Sequence, residues 1–201
     1  MNIGVLGGTF DPIHNGHLMV AEETRVRLNL AEVLFVPAGL PWLRLNTPIS
    51  EAEHRVHMVR LAIGDKPYCK LSTMEIERGG PSYTVDTIAE LRGRLGAGSE
   101  LFFILGWDCL AELPKWREPE RLIKMCYLAA VPRVGYSLPD LKSMEAAIPG
   151  LAKRVILLDA PEVDITASAI RDRVAHGLPI SHLVPAPVGK YIREQGLYTT
   201  A

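Results

Sequence analysis

Near its start the chain reads Ile3-Gly4-Val5-Leu6-Gly7-Gly8-Thr9-Phe10-Asp11-Pro12-Ile13-His14-Asn15-Gly16-His17-Leu18. The apolar run at residues 3–6 is typical of a buried strand, and the spacing of apolar residues that follows predicts a helix opening near His17. The glycines between the two let the backbone pass close to a ligand. Their spacing excludes the Gly-x-Gly-x-x-Gly turn of dinucleotide-binding proteins, and no Gly-Lys-Ser/Thr follows to make a P-loop.

Similar apolar runs recur along the chain and alternate with segments of helical spacing. The other predicted strands cover residues 33–36, 69–76, 101–105, 127–131 and 155–158. Strands that alternate with helices predict βαβ crossovers and a parallel sheet, and continuously apolar strands predict helices on both faces. We therefore expect an α/β fold with a Rossmann-like, doubly wound parallel sheet of about six strands. A single domain over residues 1–201 with a small C-terminal helical part is predicted.

Capping residues and glycines predict where the helices begin and end. Ser50 with Glu53 forms a capping box ahead of a helix that runs to about Ile63. Ser82 is expected to cap a helix that Gly96 ends. Other helices are predicted at residues 18–28, 119–124, 141–147, 169–176 and 187–195.

The composition excludes several classes of protein. With 201 residues, of which 48% are hydrophobic and 22% charged, the chain can bury a substantial core and is neither disordered nor collagen-like. A formal net charge of −1 disfavours a protein that coats nucleic acid. No apolar run approaches the roughly 18–20 residues of a membrane helix, and the first residues do not resemble a signal peptide. The three scattered cysteines suggest neither a disulfide framework nor a structural zinc. We expect a cytoplasmic protein that binds neither nucleic acid nor membrane.

Two histidines, His14 and His17, flank Gly16 at the predicted start of the first helix. Imidazoles at a helix N-terminus, where free N–H groups face an anion, can donate hydrogen bonds to phosphate oxygens and stabilise charge that develops during nucleotidyl transfer. The pair could instead bind zinc, although no third ligand is suitably spaced, or it could lie unused on the surface. His54 and His57 have the same spacing but lie mid-helix without glycines, and we expect them to be structural.

The first motif carries a resemblance to a known superfamily. Residues 7–12 followed by His14-x-Gly16-His17 resemble the nucleotidyltransferases that include adenylyl- and cytidylyltransferases. In that superfamily the His-x-Gly-His motif binds the nucleoside triphosphate. The motif alone indicates the superfamily and not the substrate.

Later motifs resemble one branch, the bacterial nicotinate-nucleotide adenylyltransferases. They are Gly80-Pro81-Ser82-Tyr83-Thr84-x-Asp86-Thr87, Gly106-x-Asp108 and Trp116. Ile165-Thr166-Ala167-Ser168-Ala169-Ile170-Arg171 is similar to that family's Ile-Ser-Ser-Thr-x-Ile-Arg element. The resemblance covers essentially the whole chain in order, and the motifs together are specific.

The resemblance implies adenylyl transfer from ATP to nicotinate mononucleotide, giving nicotinate adenine dinucleotide and pyrophosphate in NAD biosynthesis. A 5′-phosphate oxygen would attack the α-phosphorus in line, so that catalysis needs positioning and charge stabilisation rather than a protein nucleophile. Mg²⁺ is expected to accompany ATP, with no metal ligands predicted in the protein, because this ion keeps several waters. Preference for the acid or the amide mononucleotide, and a homo-oligomeric state, stay open.

The same resemblance implies a role for individual residues. His17 would stabilise the α-phosphate, His14 would assist on the triphosphate, and Arg171 would bind the β- and γ-phosphates. The implied ATP-binding residues are Gly7, Gly8, Thr9, Phe10, Gly16, Gly106, Asp108, Arg133, Ile165 and Ser168. The implied mononucleotide-binding residues are Arg44, Tyr83, Thr84 and Trp116.

Several of these assignments have a simpler alternative. Asp11 either acts in the site or only forms the turn before Pro12. Arg171 is favoured as a phosphate ligand over a solvated surface arginine. Trp116 lies in a charged loop and is favoured to stack on a pyridinium ring, the alternative being ordinary packing in the core.

The chain departs from the family pattern in two loops. The usual Pro-Pro-His-Lys (or Arg) is Pro41-Trp42-Leu43-Arg44, which keeps a cation and loses the imidazole. The usual Arg-Pro-Gly-Tyr is Arg133-Val134-Gly135-Tyr136. We expect these changes to affect substrate affinity and loop order, and not the class of reaction.

Three other functions compete with this interpretation. Phosphopantetheine adenylyltransferases are the nearest enzymes, but they lack the elements at Ser82-Tyr83-Thr84 and Trp116. A non-catalytic nucleotide sensor on the same fold would be expected to have lost His17 or Arg171. A dehydrogenase would carry the Gly-x-Gly-x-x-Gly turn that is missing here.

Overall fold

The apolar runs of the sequence form the strands of one sheet in the computed structural model, which describes residues 1–41, 48–96, 98–159 and 164–199. In these residues the strands are β1 (Asn2–Gly8), β2 (Glu32–Pro37), β3 (Cys69–Leu71), β4 (Glu100–Gly106), β5 (Tyr127–Val131) and β6 (Val155–Leu157). Every pairing is parallel, in the order β3-β2-β1-β4-β5-β6. The order reverses between β1 and β4, which confirms the doubly wound, Rossmann-like sheet predicted from the sequence.

Each of the six strands is followed by at least one helix. They are α1 (Asn15–Arg27), α2 (Ala52–Ile63), α3 (Met74–Arg78), α4 (Thr84–Leu95), α5 (Trp107–Ala111), α6 (Pro119–Met125), α7 (Leu141–Ala147), α8 (Ala167–Ala175) and α9 (Ala186–Glu194). Short 3₁₀ turns lie at Leu113–Lys115 and Leu151–Lys153. No helix in the described ranges is both long enough and apolar enough to cross a bilayer.

The sheet separates two hydrophobic cores, because successive side chains of a strand point to opposite faces. In β4, Phe102 and Ile104 pack with residues of α1, α2 and α9 on one face. The alternate residues Leu101, Phe103 and Leu105 pack with α4, α6 and α7 on the other face. Burial on both faces is the reason that β4 is apolar throughout.

The strand predicted at residues 69–76 is too long. β3 ends at Leu71, and the chain turns into α3, in which Met74 and Glu75 are both buried. A strand would point these neighbours to opposite faces. The helical turn instead puts Met74 in the core and lets the Glu75 carboxylate accept a hydrogen bond from Thr87 Oγ1 at 2.6 Å.

Both predicted serine caps are wrong, because in each case the residue after the serine is the N-cap and the serine contacts another part of the fold. The backbone N–H of Ser50 donates to Asp11 Oδ2 at 3.2 Å, and Glu51 is the N-cap of α2. Ser82 Oγ accepts a hydrogen bond from Gly39 N at 2.9 Å, and Tyr83 is the N-cap of α4. Gly96 ends α4 as predicted, with a φ of 72°.

The second histidine pair joins α2 to α9. His54 Nδ1 lies 2.8 Å from the Tyr191 hydroxyl, and the His57 ring stacks on the Tyr191 ring with 4.4 Å between centroids. These contacts are those of structural residues, as expected from the sequence.

Candidate active site

The candidate site lies at the carboxyl ends of β1, β4 and β5, beside the point where the strand order reverses. Ligands of doubly wound sheets bind in the crevice at this position. The segment after β1 leads into α1, Asp108 follows β4, and Arg133 follows β5. The sequence motifs that are far apart along the chain therefore converge on one edge of the sheet.

His14 and His17 form the start of α1. His14 is the N-cap, and its backbone N–H donates to Nδ1 of His17 at 3.2 Å. The two rings stack with centroids 3.7 Å apart. A ring nitrogen that accepts a backbone N–H carries no proton, so the neutral His17 has its proton on Nε2.

Both imidazoles are held in the neutral form. Burial of the ring, and then the nearby Arg133 guanidinium, lower the pKa of His14 from 6.5 to about 4. Burial, then His14, then Arg133 lower the pKa of His17 well below its ordinary value. At neutral pH the pair therefore supplies hydrogen-bond donors without carrying a positive charge. His14 Nδ1 is buried and has no hydrogen-bond partner in the part of the chain that is described.

The N-terminus of α1 is less open than the sequence suggests. The Asn15 N–H donates to the Leu183 carbonyl at 2.9 Å, and the His17 N–H donates to the His14 carbonyl at 3.0 Å. The loop before α9 has thus taken one of the N–H groups expected to face an anion. Because fewer backbone N–H groups are available, an anion bound here would depend more on a hydrogen bond from the His17 imidazole.

Phe10 supports the pair from the core. Its ring is 2% exposed and meets the His17 ring edge-on, with centroids 5.0 Å apart. A Cβ at Gly8 would lie 3.3 Å from the Phe10 ring, and one at Gly7 would lie 3.4 Å from Phe103. In the described contacts these glycines make room for aromatic rings. The buried Phe10 side chain fits a supporting position better than a lining of the substrate passage.

Arg171 reaches the segment after β1 from α8. Its Nη1 donates to the backbone carbonyl of Asp11 at 2.8 Å. Asp11 is 3% exposed, and its carboxylate accepts from the Tyr198 hydroxyl at 2.6 Å and from Ser50 N at 3.2 Å. Asp11 is therefore more than a turn former, and Arg171 is half-buried against this segment rather than free in solvent.

Gly106 and Asp108 lie where the sequence predicts, after the most apolar strand. Asp108 Oδ2 is 3.4 Å from Nε of Arg133, while Oδ1 is buried without a partner among the residues described. A Cβ at Gly106 would lie 2.3 Å from Asp108 Oδ1. A side chain at position 106 would therefore displace this carboxylate, whose Oδ1 is left to accept from a hydroxyl group.

Tyr83, Thr84 and Trp116 lie around the N-terminus of α4. Thr84 is the first residue of α4, and the Arg117 guanidinium carbon lies 4.7 Å from the centre of the Tyr83 ring. Trp116 is half-buried and meets Phe103 edge-on, with centroids 5.9 Å apart. Because Phe103 also faces Gly7, Trp116 lies close to the end of β1.

The remaining predicted residues lie at the start of α8. Thr166 is the N-cap and accepts from Ala169 N at 3.2 Å, and its hydroxyl is 3.2 Å from that of the exposed Ser168. Ile165 packs against the core. Arg44 and Leu43 fall outside the residues that the structure describes.

Arg55 is a residue of the site that sequence reasoning missed. Its guanidinium is buried and donates to the carbonyls of Ala38 at 2.7 Å, Thr9 at 2.9 Å and Ser50 at 3.0 Å. It thereby ties the ends of β1 and β2 to the entry of α2. The only signal was an arginine at helical spacing from the apolar residues Ala52, Met58 and Val59, which equally describes a residue at the border of a surface face.

The chain is similar to known proteins at two levels, a broad class of enzymes and one family within it. Residues 5–173 match the family model described as cytidylyltransferase-like, a class of nucleotidyltransferases. A "Probable nicotinate-nucleotide adenylyltransferase" of Dehalococcoides mccartyi (strain CBDB1) is 48% identical over 198 residues, covering 98% of this chain and 97% of that protein. A protein of the same name from Roseiflexus sp. (strain RS-1) is 45% identical over 197 residues, with the same coverage.

A solved structure has the same fold. The Plasmodium falciparum nicotinic acid mononucleotide adenylyltransferase complexed with NaAD superposes with a TM-score of 0.79 at 22% identity, covering 98% of this chain and 97% of that one. The chain belongs to the nicotinate-nucleotide adenylyltransferase family.

Proposed function

We propose that this protein transfers the adenylyl group of ATP to nicotinate mononucleotide, a step of NAD biosynthesis. The observation that carries the proposal is the neutral His14–His17 pair at the edge of the sheet, in a chain 48% identical over nearly its whole length to a relative named for this activity. The fold that it shares with a structure complexed with NaAD, at 22% identity, is consistent with the proposal. We propose that the reaction takes place in the cytoplasm.

The reaction is a single displacement at the α-phosphorus of ATP. A 5′-phosphate oxygen of nicotinate mononucleotide forms a bond to that phosphorus, and the bond from it to the oxygen bridging to the β-phosphorus breaks. That oxygen keeps the electron pair and leaves with pyrophosphate. The residues need only align the two phosphates and stabilise the charge that develops on their oxygens.

His17 is the proposed donor to the α-phosphate. Its Nδ1 accepts the His14 N–H at 3.2 Å, so Nε2–H is the group left to donate. A donor fixed in advance stabilises charge in the transition state without reorganising at that moment. His14 assists on the triphosphate with Gly7, Gly8, Thr9 and Gly16 around it.

Arg171 and Asp108 are proposed to bind the two ends of ATP. One N–H of Arg171 donates to the Asp11 carbonyl at 2.8 Å, and this hydrogen bond fixes the direction of the guanidinium. The remaining N–H groups form a planar fork that suits the oxygens of the β- and γ-phosphates. The buried Oδ1 of Asp108 suits a ribose hydroxyl. Arg133, which lies 3.4 Å from the other oxygen of Asp108, completes the ATP side together with Gly106, Ile165 and Ser168.

The nicotinate ring is proposed to bind at the N-terminus of α4. The N–H groups of its first turn, beginning at Thr84, suit a carboxylate, and Tyr83 forms the wall beside them. Trp116 is proposed to stack on the pyridinium ring through cation–π attraction. Arg44 remains a proposed ligand of the mononucleotide phosphate on the resemblance alone.

Mg²⁺ is proposed to enter the site with ATP. In the described residues no three His, Cys, Asp or Glu side chains come together to hold a metal. Mg²⁺ ordinarily keeps several waters and binds through substrate phosphate oxygens. When bound, the ion neutralises charge on the phosphates.

The test is pyrophosphate release from ATP and Mg²⁺ with three acceptors in parallel: nicotinate mononucleotide, nicotinamide mononucleotide and 4′-phosphopantetheine. We expect release with the first acceptor far above the second and none with the third. Comparable rates with the two pyridine nucleotides would mean dual specificity. Release only with phosphopantetheine would contradict the proposal. The absence of release with all three acceptors would contradict it as well.

A further inference from the structure

The carboxylate of Asp11 joins three segments that are far apart in the sequence. Tyr198, near the C-terminal end, donates its hydroxyl to Oδ1 at 2.6 Å. Ser50, at the entry to α2, donates its backbone N–H to Oδ2 at 3.2 Å. Asp11 is 3% exposed, so these two hydrogen bonds replace the water that an ionised carboxylate would otherwise need.

The same residue also holds Arg171. The backbone carbonyl of Asp11 accepts from Arg171 Nη1 at 2.8 Å. A shift of the Asp11 peptide therefore moves the acceptor that directs the guanidinium. The side chain and the carbonyl of one residue thus connect the hydroxyl of Tyr198 to the cation proposed for the β- and γ-phosphates.

Tyr198 is held in a backbone conformation that favours glycine. Its φ is 65°, in the left-handed region, where a side chain costs free energy. Residues in such conformations persist where the surrounding structure fixes them, and they cluster at functional sites. Burial, followed by the hydrogen bond to Asp11, raises the pKa of Tyr198, so its hydroxyl stays protonated and able to donate.

We infer that Tyr198 is a positioning residue for adenylyl transfer: through Asp11 it sets the direction of Arg171. This inference rests on the proposed function and adds the C-terminal segment to the machinery of the site. Tyr198 is not among the residues proposed to contact ATP, and its hydroxyl donates to Asp11 instead. Through Arg171, Tyr198 would act where charge develops on the leaving pyrophosphate. We therefore expect its loss to lower kcat rather than to raise the KM for ATP.

The test is Tyr198→Phe, with Tyr191→Phe as the matched control. Both tyrosines are half-buried in the C-terminal segment, and the hydroxyl of each lies in short hydrogen-bond contact with a polar side chain, that of Tyr191 with His54 at 2.8 Å and that of Tyr198 with Asp11 at 2.6 Å. We expect Tyr198→Phe to lower kcat about tenfold with the KM for ATP within about twofold, since small misplacements of a catalytic group are costly. Tyr191→Phe should leave kcat within about twofold of the wild type.

A double-mutant cycle separates positioning from general loosening. If Tyr198 acts through Arg171, then Tyr198→Phe should cause less than about a twofold further loss of kcat in an Arg171→Ala background. Circular dichroism and thermal unfolding of all four proteins check that each one is folded. A kcat for Tyr198→Phe equal to that of Tyr191→Phe, a change confined to KM, or a loss that multiplies fully in the Arg171→Ala background would each overturn the inference.

Failure of the proposed function would be detected separately, by measuring pyrophosphate release from the wild-type protein with each acceptor. The residues of this cycle concern the triphosphate and not the acceptor, so the cycle is run with whichever acceptor supports pyrophosphate release. A wild type that uses another acceptor would contradict nicotinate mononucleotide as substrate and leave the cycle able to support or overturn the role of Tyr198. Silence with every acceptor would count against both.

Discussion

At the scale of single residues, one hydrogen bond decides what His17 can do. The His14 N–H that it accepts at 3.2 Å fixes the proton on Nε2, and the edge of the Phe10 ring limits rotation of the imidazole. Burial with two nearby basic groups, His14 and Arg133, keeps the ring neutral. In the proposed mechanism His17 therefore meets a developing negative charge as an oriented dipole, at neutral pH and without gaining or losing a proton.

We predict that His17→Ala lowers kcat at least about a hundredfold, the usual cost of losing one preorganised donor to a developing oxyanion. The measurement is steady-state pyrophosphate release at saturating ATP, with the fold checked by circular dichroism. His57→Ala is the matched control, because His57 belongs to a pair with the same spacing that packs on Tyr191. A folded His17→Ala protein within a few-fold of the wild-type rate would remove His17 from the mechanism.

At the scale of elements, the site depends on Arg55, which α2 carries into the junction of two strands. The carbonyls that it satisfies belong to Thr9 after β1, to Ala38 after β2 and to Ser50 before α2. The contact with the Ala38 carbonyl is buried and those with Thr9 and Ser50 are partly buried, so removal of the guanidinium would leave these carbonyls with little access to a replacement partner. The planar fork reaches carbonyls on several sides at once, and a single ammonium group does not reproduce that geometry.

We predict that Arg55→Lys lowers the free energy of unfolding by about 2–3 kcal/mol, the range expected when charge-assisted hydrogen bonds to buried carbonyls are lost. Urea denaturation followed by circular dichroism measures it. Arg60→Lys, on the exposed side of the same helix, should change the stability by less than about 0.5 kcal/mol. Equal effects of the two substitutions would show that Arg55 does not clamp the strand ends.

Element by element, the sequence predicted what is local and missed what is distant. The strand at residues 127–131 and the helix at residues 141–147 have the observed bounds, because hydrophobic periodicity determines them. Ser50 and Ser82 were misassigned as caps, since their partners Asp11 and Gly39 are about forty residues away. Rules that consider only residues close in the sequence cannot predict such contacts.

The residues of the candidate site also divide into those that local motifs predict and those that depend on distant contacts. His14, His17 and Asp108 belong to short motifs after strands, and the parallel sheet brings the ends of those strands to one edge. The bond of Tyr198 to Asp11 spans 187 positions and that of Arg55 to Thr9 spans 46. Periodicity and motif spacing carry no information on either, because both depend on how the C-terminal segment and α2 pack in the finished fold.

At the scale of the whole molecule, the topology concentrates the site at one end of the sheet. Since all strands are parallel, their carboxyl ends share one edge. The segments that would contact ATP enter this edge from β1, β4 and β5 and from α8. Loops that precede the strands lie at the opposite edge, where none of the proposed site residues that the structure describes is found.

This arrangement predicts where a bound nucleotide will slow amide hydrogen exchange. Addition of a non-hydrolysable ATP analogue with Mg²⁺ should protect three separate stretches, at residues 9–17, 106–108 and 165–171. Exchange at the opposite edge, as at residues 29–31 and 65–68, should stay unchanged, because amides there remain as accessible as before. Mg²⁺ alone is the control. Protection confined to one stretch, or spread to the opposite edge, would mean that ATP does not bridge the end of β1 and the start of α8, and the roles proposed for His17 and Arg171 on one triphosphate would fail together.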